Sequence, residues 1–167
     1  DGGDFEAAAA LSEAIPTVAT VTFDPGDQAD EAWVEFGPDD TYGTLAPVVL
    51  SGGPPYEAVL VGNKPASEIH FRAVAAVDGV SLASSDATVT TGSAPTTLPE
   101  VEVNDLGGAA GGFFVTSLVA STPSAVILDA DGDYVWWWQA DRDDAEVSRA
   151  SLSSDGTAVQ YLTYALG

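Results

Sequence analysis

Glycine and proline recur along the whole chain and divide it into short stretches rich in Val, Thr, Phe, Tyr and Trp. With 17 Gly and 10 Pro, there is room mainly for short strands joined by turns, and the expected fold class is all-β. The stretches 17–23, 32–36, 56–61, 68–77 and 87–91 alternate or cluster apolar residues at strand lengths. Between them Asp24-Pro25-Gly26-Asp27, Gly37-Pro38-Asp39-Asp40 and Asp78-Gly79 bring the residues that turns require.

The stretch 5–14 breaks this pattern. Four consecutive alanines behind Asp4 favour a capped helix on propensity alone. Pro16 stops any such helix, and the same residues fit an edge strand ahead of 17–23. Residues 1–14 are therefore read as an N-terminal arm or first edge strand, and 15–92 as a sandwich. At 93–99, directly after Gly92, Pro-, Ser- and Thr-rich sequence replaces the strand pattern and reads as a linker. Residues 100–167 then read as an antiparallel meander, with strands at 113–120, 125–128, 134–139, 147–152 and 158–164 and hairpin signals at Thr122-Pro123-Ser124, Asp131-Gly132 and Asp155-Gly156.

Charge narrows the partners. Asp and Glu number 26 against four Lys and Arg, a formal net charge of −22. A phosphate backbone needs a basic face, so nucleic acid is an unsuitable partner. An anionic membrane surface is disfavoured by the same repulsion, and no run of about 18 apolar residues is present to span a bilayer. Cysteine is absent, which removes disulfides, thiolate metal sites and cysteine nucleophiles. The start at Asp1 without an initiator Met reads as a processed, exported chain, extracellular or at the cell surface and compatible with a lipid anchor upstream of residue 1.

Two sets of residues carry a family likeness. Trp33, the corner Asn63-Lys64-Pro65-Ala66-Ser67-Glu68, Phe71-Arg72-Ala73-Val74 and Ala87-Thr88-Val89-Thr90-Thr91 resemble a fibronectin type III domain. Asn63 stands where that family usually has Leu and Ile69 where it has Tyr, so the corner bond to a tyrosine hydroxyl is absent. Gly111-Gly112-Phe113-Phe114-Val115-Thr116, the run from Ala125 through Asp129-Ala130-Asp131-Gly132-Asp133 to Trp137, and the run from Val147 to Gly156 look like the opening of a bacterial arylsulfotransferase propeller. The resemblance spans nearly the whole chain. It implies a fibronectin type III-like sandwich followed by a meander resembling the first propeller blade. It also implies that the family's nucleophilic histidine and its supporting His, Arg and Asn residues belong to later blades, since none of those positions is matched here. Blades take ~40–50 residues each, so 100–167 holds about one and a part.

Candidate chemistry is sparse. Asp129, Asp131 and Asp133 crowd carboxylates around Gly132; oxygen ligands at alternate positions suit Ca²⁺, while the same residues suit a hairpin turn, and the later Glu of an EF-hand is missing. Ca²⁺ is the only cofactor these residues raise. His70, the sole histidine, lies on a strand of the sandwich and reads as structural or surface. Trp136-Trp137-Trp138 is read as packing between blades, or else as an interface or an aromatic ligand platform. Asp141, Asp143, Asp144 and Glu146 beside Arg142 read as solvated loop charge. No Ser-His-Asp set, phosphate loop or zinc spacing appears, so no catalytic residue is expected in this chain. Two functional readings stand: the non-catalytic N-terminal region of a secreted arylsulfotransferase-like protein, or a structural subunit of an extracellular filament or surface assembly whose partners are other protein chains paired through β-strands.

Overall fold

The computed structural model describes residues 4–104, 112–120, 122–140, 145–154 and 156–165. Among them every regular element is a strand, and the chain divides into two compact units, Asp1–Gly92 and Ser93–Gly167. No helix is long and apolar enough to cross a membrane among the described residues.

The first unit is a sandwich of two antiparallel sheets. One holds β1 (Ala7–Leu11), β2 (Ala19–Phe23) and β5 (Tyr56–Leu60) in the order β1-β2-β5. The other holds β3 (Glu31–Gly37), β4 (Thr44–Pro47) and β6 (Glu68–Val77) in the order β4-β3-β6. Its far edge is split between β7 (Val80–Ala83), paired with Val74 to Val77, and β8 (Ala87–Thr90), paired with Glu68 to Phe71. Alternation decides which side chains meet. Register sets Phe23 opposite Tyr56 and Val21 opposite Ala58 on one sheet, and Phe36 opposite Phe71 and Val34 opposite Ala73 on the other. All of these are buried in one core, large beside small so that the two inner faces interdigitate. The Tyr56 hydroxyl, buried with its ring, accepts from the Ala29 N–H at 2.9 Å.

The alanine run is a strand. Ala7, Ala9 and Leu11 turn half-buried toward the core while Ala8 and Ala10 face outward, and the outer backbone of β2 takes the partner it otherwise lacks. Tertiary pairing outweighs a helix propensity of a few tenths of a kcal/mol per residue. Just upstream, Phe5 stacks on Phe23 with ring centroids 5.7 Å apart and bridges to Ser84, while Asp4 exchanges hydrogen bonds with Ala83. The same short segment therefore touches both sheets.

The corner after β5 is closed by groups other than a tyrosine. Buried Asn63 donates its amide to the carbonyls of Thr17 and Leu60 at 3.0 and 3.2 Å. Thr91 Oγ1 donates to Lys64 O at 2.6 Å and accepts from Ser67 N. The Thr91 N–H reaches Ser67 O, the Gly92 N–H reaches Pro16 O, and Gly92 O accepts from Ala66 N. Every buried side-chain polar atom among the described residues has a partner, as burial requires.

The second unit contains a three-stranded sheet, ordered β11-β10-β9, from β9 (Phe114–Leu118), β10 (Ser124–Leu128) and β11 (Tyr134–Gln139), together with a hairpin of β12 (Ala145–Leu152) and β13 (Val159–Ala165). Both faces of β10 are covered: Ser124, Ala125 and Val126 are all buried in succession. On one side Trp138 stacks on Tyr161 of β13, centroids 4.3 Å apart. The segment before β9 also packs against this sheet. Leu98 is buried, Thr97 exchanges hydrogen bonds with Gln139, and Pro99 O accepts from the Tyr134 hydroxyl.

Candidate functional site

The aspartate turn joins β10 to β11. Asp129 Oδ1 accepts from the N–H groups of Asp131 and Asp133 at 3.0 and 2.9 Å, and the Asp129 backbone bonds both ways across the turn, its N–H to Asp133 O and its carbonyl from Gly132 N. Gly132 takes φ +90, and a Cβ there would come within 2.7 Å of Val103 Cγ2. Glycine is thus required twice over, by the turn and by the chain packed above it. The geometry meets the demands of a hairpin turn. It also brings one carboxylate oxygen from each of Asp129, Asp131 and Asp133 within 4.8 Å of the others. Two oxygens ligating the same Ca²⁺ at ~2.3–2.6 Å stand at most about 5 Å apart, so the spacing admits that ion. Asp129→Ala removes the acceptor for two N–H groups and should cost about 1–2 kcal/mol in calcium-free buffer. Thermal melts of wild type and variant, with chelator and with millimolar Ca²⁺, separate the two roles: a calcium-dependent rise of wild type alone marks a cation ligand, and an equal gap in both buffers marks the turn.

The tryptophans are not equivalent. Trp137 is 4% exposed, Trp136 is half-buried, and Trp138 lies in the stack with Tyr161. Asp141, Arg142, Asp143 and Asp144 lie outside the described residues. Glu146, on β12, accepts from the Tyr164 hydroxyl, which raises the Tyr164 pKa.

A second polar group of residues, on the outer face of β3 and β6, is assembled from positions far apart in sequence. His70 Nδ1 lies 2.9 Å from Asp86 Oδ2, and the Tyr42 hydroxyl donates to Asp86 Oδ1 at 2.9 Å. Arg72 Nε donates to Glu35 Oε2 at 2.6 Å, its guanidinium lies 5.1 Å from the centre of the Tyr42 ring, and Glu35 Oε1 accepts from Trp33 Nε1. The Asp86 hydrogen bond raises the His70 pKa despite some desolvation, with Glu68 and Asp40 adding to it. Desolvation, followed by the bond to Asp86, pushes Tyr42 up to about 12. Beside this network lies an open groove of ≈ 400 Å³ lined by Glu35, Asp40, Thr41, Tyr42, Leu45 and Arg72.

No family model, curated protein or solved structure matches this chain.

Proposed function

We propose that the chain is a non-catalytic region of a secreted arylsulfotransferase-like protein, its first unit an accessory sandwich and its second the opening blade of a propeller. The observation that carries this reading is the surface of the second unit. Phe113, Phe114, Val119, Leu152, Leu162 and Tyr164 are all about half exposed or more, on strands or beside them. A small unit that exposes this many large apolar side chains calls for cover, and in a propeller the following blade provides it. Lettered in chain order, the sheets of the first unit read A-B-E and C′-C-F-G, an immunoglobulin-like layout with the fourth strand on the second sheet, and this supports the fibronectin type III likeness. The meander contains no histidine, in keeping with chemistry carried on later blades. Ca²⁺ bound at Asp129, Asp131 and Asp133 belongs to the same proposal, as a brace on the β10–β11 turn.

The same exposed strands also serve a second reading, in which neighbouring chains of an extracellular assembly supply the cover. Incubation of this chain with an aryl sulfate donor and a phenolic acceptor is expected to give no sulfate transfer, and measurable turnover overturns the non-catalytic reading. Intact-mass measurement of the native material then decides between the two: a much heavier polypeptide containing this sequence supports the propeller, and a mature species near 17.0 kDa replaces it with the assembly.

A further inference from the structure

We propose that His70, Asp86 and Tyr42 form a pH-dependent latch that fastens the β3–β4 loop to the break between β7 and β8 and so sets the opening of the groove beside Arg72. What holds Tyr42 decides how firmly the loop is fixed. Its loop is pinned mostly to itself: the Tyr42 N–H reaches Asp39 O, and the Asp39 carboxylate accepts from both the N–H and the hydroxyl of Thr41. Tyr42 adopts φ 60, a left-handed conformation that a bulky residue keeps only when its surroundings hold it. The tie that reaches beyond the loop at its side chain is the hydroxyl bond to Asp86, with the Arg72 guanidinium over the ring. Asp86 lies on the opposite side of β6, where the edge strand is interrupted. One carboxylate therefore spans the strand, with one oxygen on the loop and the other on His70.

The imidazole is what makes this arrangement responsive to pH. It is about a quarter exposed, at 24%, and charged or polar groups face it from each neighbouring element. Glu68 lies on its own strand at 3.9 Å, and Asp86 lies at the edge-strand break. Asp39 and Asp40 act on it from the β3–β4 loop. Arg72 follows two residues along β6 but is committed to Glu35. Protonated, His70 offsets this crowd of carboxylates and makes a charge-assisted bond to Asp86. Neutral, it no longer attracts Asp39 and Asp40 of the loop and leaves Asp86 with a weaker partner, in a chain already at −22. Because the folded-state pKa is raised, the stabilisation is fully present below the ordinary histidine value of 6.5 and is lost as pH climbs through the raised one. The latch is fastened below the raised His70 midpoint and released above it.

His70 is the only histidine, so its ring proton can be followed by NMR without ambiguity over roughly pH 5 to 9. In the wild type, the Tyr42 ring and loop amide signals should move with the same midpoint as His70. Loop amide exchange, corrected for its intrinsic pH dependence, should quicken by about three- to tenfold across that midpoint. In His70→Gln the loop transition should vanish. In Tyr42→Phe the His70 titration should persist while the loop no longer follows it. Asp86→Asn offers a second route to the same loss if His70→Gln folds poorly, and should bring the His70 midpoint down toward 6.5. A loop that does not respond while His70 titrates, or a loop transition that survives His70→Gln or Asp86→Asn, overturns the proposal.

Discussion

Trp137→Ala should leave the second unit unable to hold its fold. Trp137 is 4% exposed and sits opposite Val126 on the central strand of its sheet, itself fully buried. Truncating a buried indole costs about 3–5 kcal/mol through lost transfer free energy and the cavity left behind. A unit of ~75 residues has a total stability of only ~4–11 kcal/mol, so the loss takes much or all of it. Trp136→Ala, at a half-buried position of the same strand, should cost clearly less. The measurement is urea unfolding followed by tryptophan fluorescence and, for the meander alone, by NMR signals of β9 to β11. Equal midpoints for the two alanine variants would refute the assignment of Trp137 as the central packing residue and restore an exposed aromatic platform.

Gly37→Ala should be the most damaging single-methyl addition in the sandwich. A Cβ at Gly37 would lie 1.8 Å from the carbonyl oxygen of Tyr42 and 2.5 Å from its carbonyl carbon. Those are backbone atoms, so no rotamer change relieves the contact, and the β3–β4 loop has to move as a body. Such overpacking costs about 1–3 kcal/mol or more, which in a domain of this size lowers the melting temperature by roughly 10 °C. Gly26→Ala is the informative control: Gly26 has φ +89 but nothing within 4 Å of a Cβ, so only the backbone penalty of ~1 kcal/mol applies. A Gly37→Ala protein that melts with the Gly26→Ala control would mean the loop does not approach β3 as closely as described. The same variant should also sever the Tyr42–Asp86 bond, visible as loop amide signals that no longer follow the His70 titration.

Much of the architecture was legible because strand alternation and turn residues are local signals. Val21 and Phe23, or Tyr56, Ala58 and Leu60, declare an inward face within five residues, and Asp78-Gly79 marks the turn between β6 and β7 where the structure has it. The alanine run was ambiguous because alanine is small enough for either conformation. What settles it is a partner strand and the Phe5–Phe23 stack, both set by residues that lie outside the run, from Ala19 to Phe23. The aspartate turn was visible as a motif, since its hydrogen bonds stay within five residues. The network on the outer face was not. Tyr42 and Asp86 are 44 residues apart, Glu35 and Arg72 are 37 apart, and each reads singly as ordinary surface charge or a loop aromatic. The faint signal was that His70 and Arg72, two of the chain's few basic side chains, share one face of one strand. Asn63 shows the same limit: it departs from the resembled corner motif, and only the folded backbone reveals the two carbonyls it serves.

The corner at which the chain leaves the sandwich has a mechanical meaning. A pull on the polypeptide beyond Gly92 does not begin by peeling β8 from β6 one residue at a time. It first loads three backbone hydrogen bonds that end on separate segments, from Gly92 to Pro16, from Ala66 to Gly92 and from Thr91 to Ser67, with the Thr91 hydroxyl bridging to Lys64 beside them. Tension is thereby divided between the entry to β2 and the corner after β5, and those bonds must yield together before the edge strand can be drawn out. The tether between the two units is thus anchored in the sandwich as a clip, so that strain arriving along the chain is spread through its frame before it reaches the core.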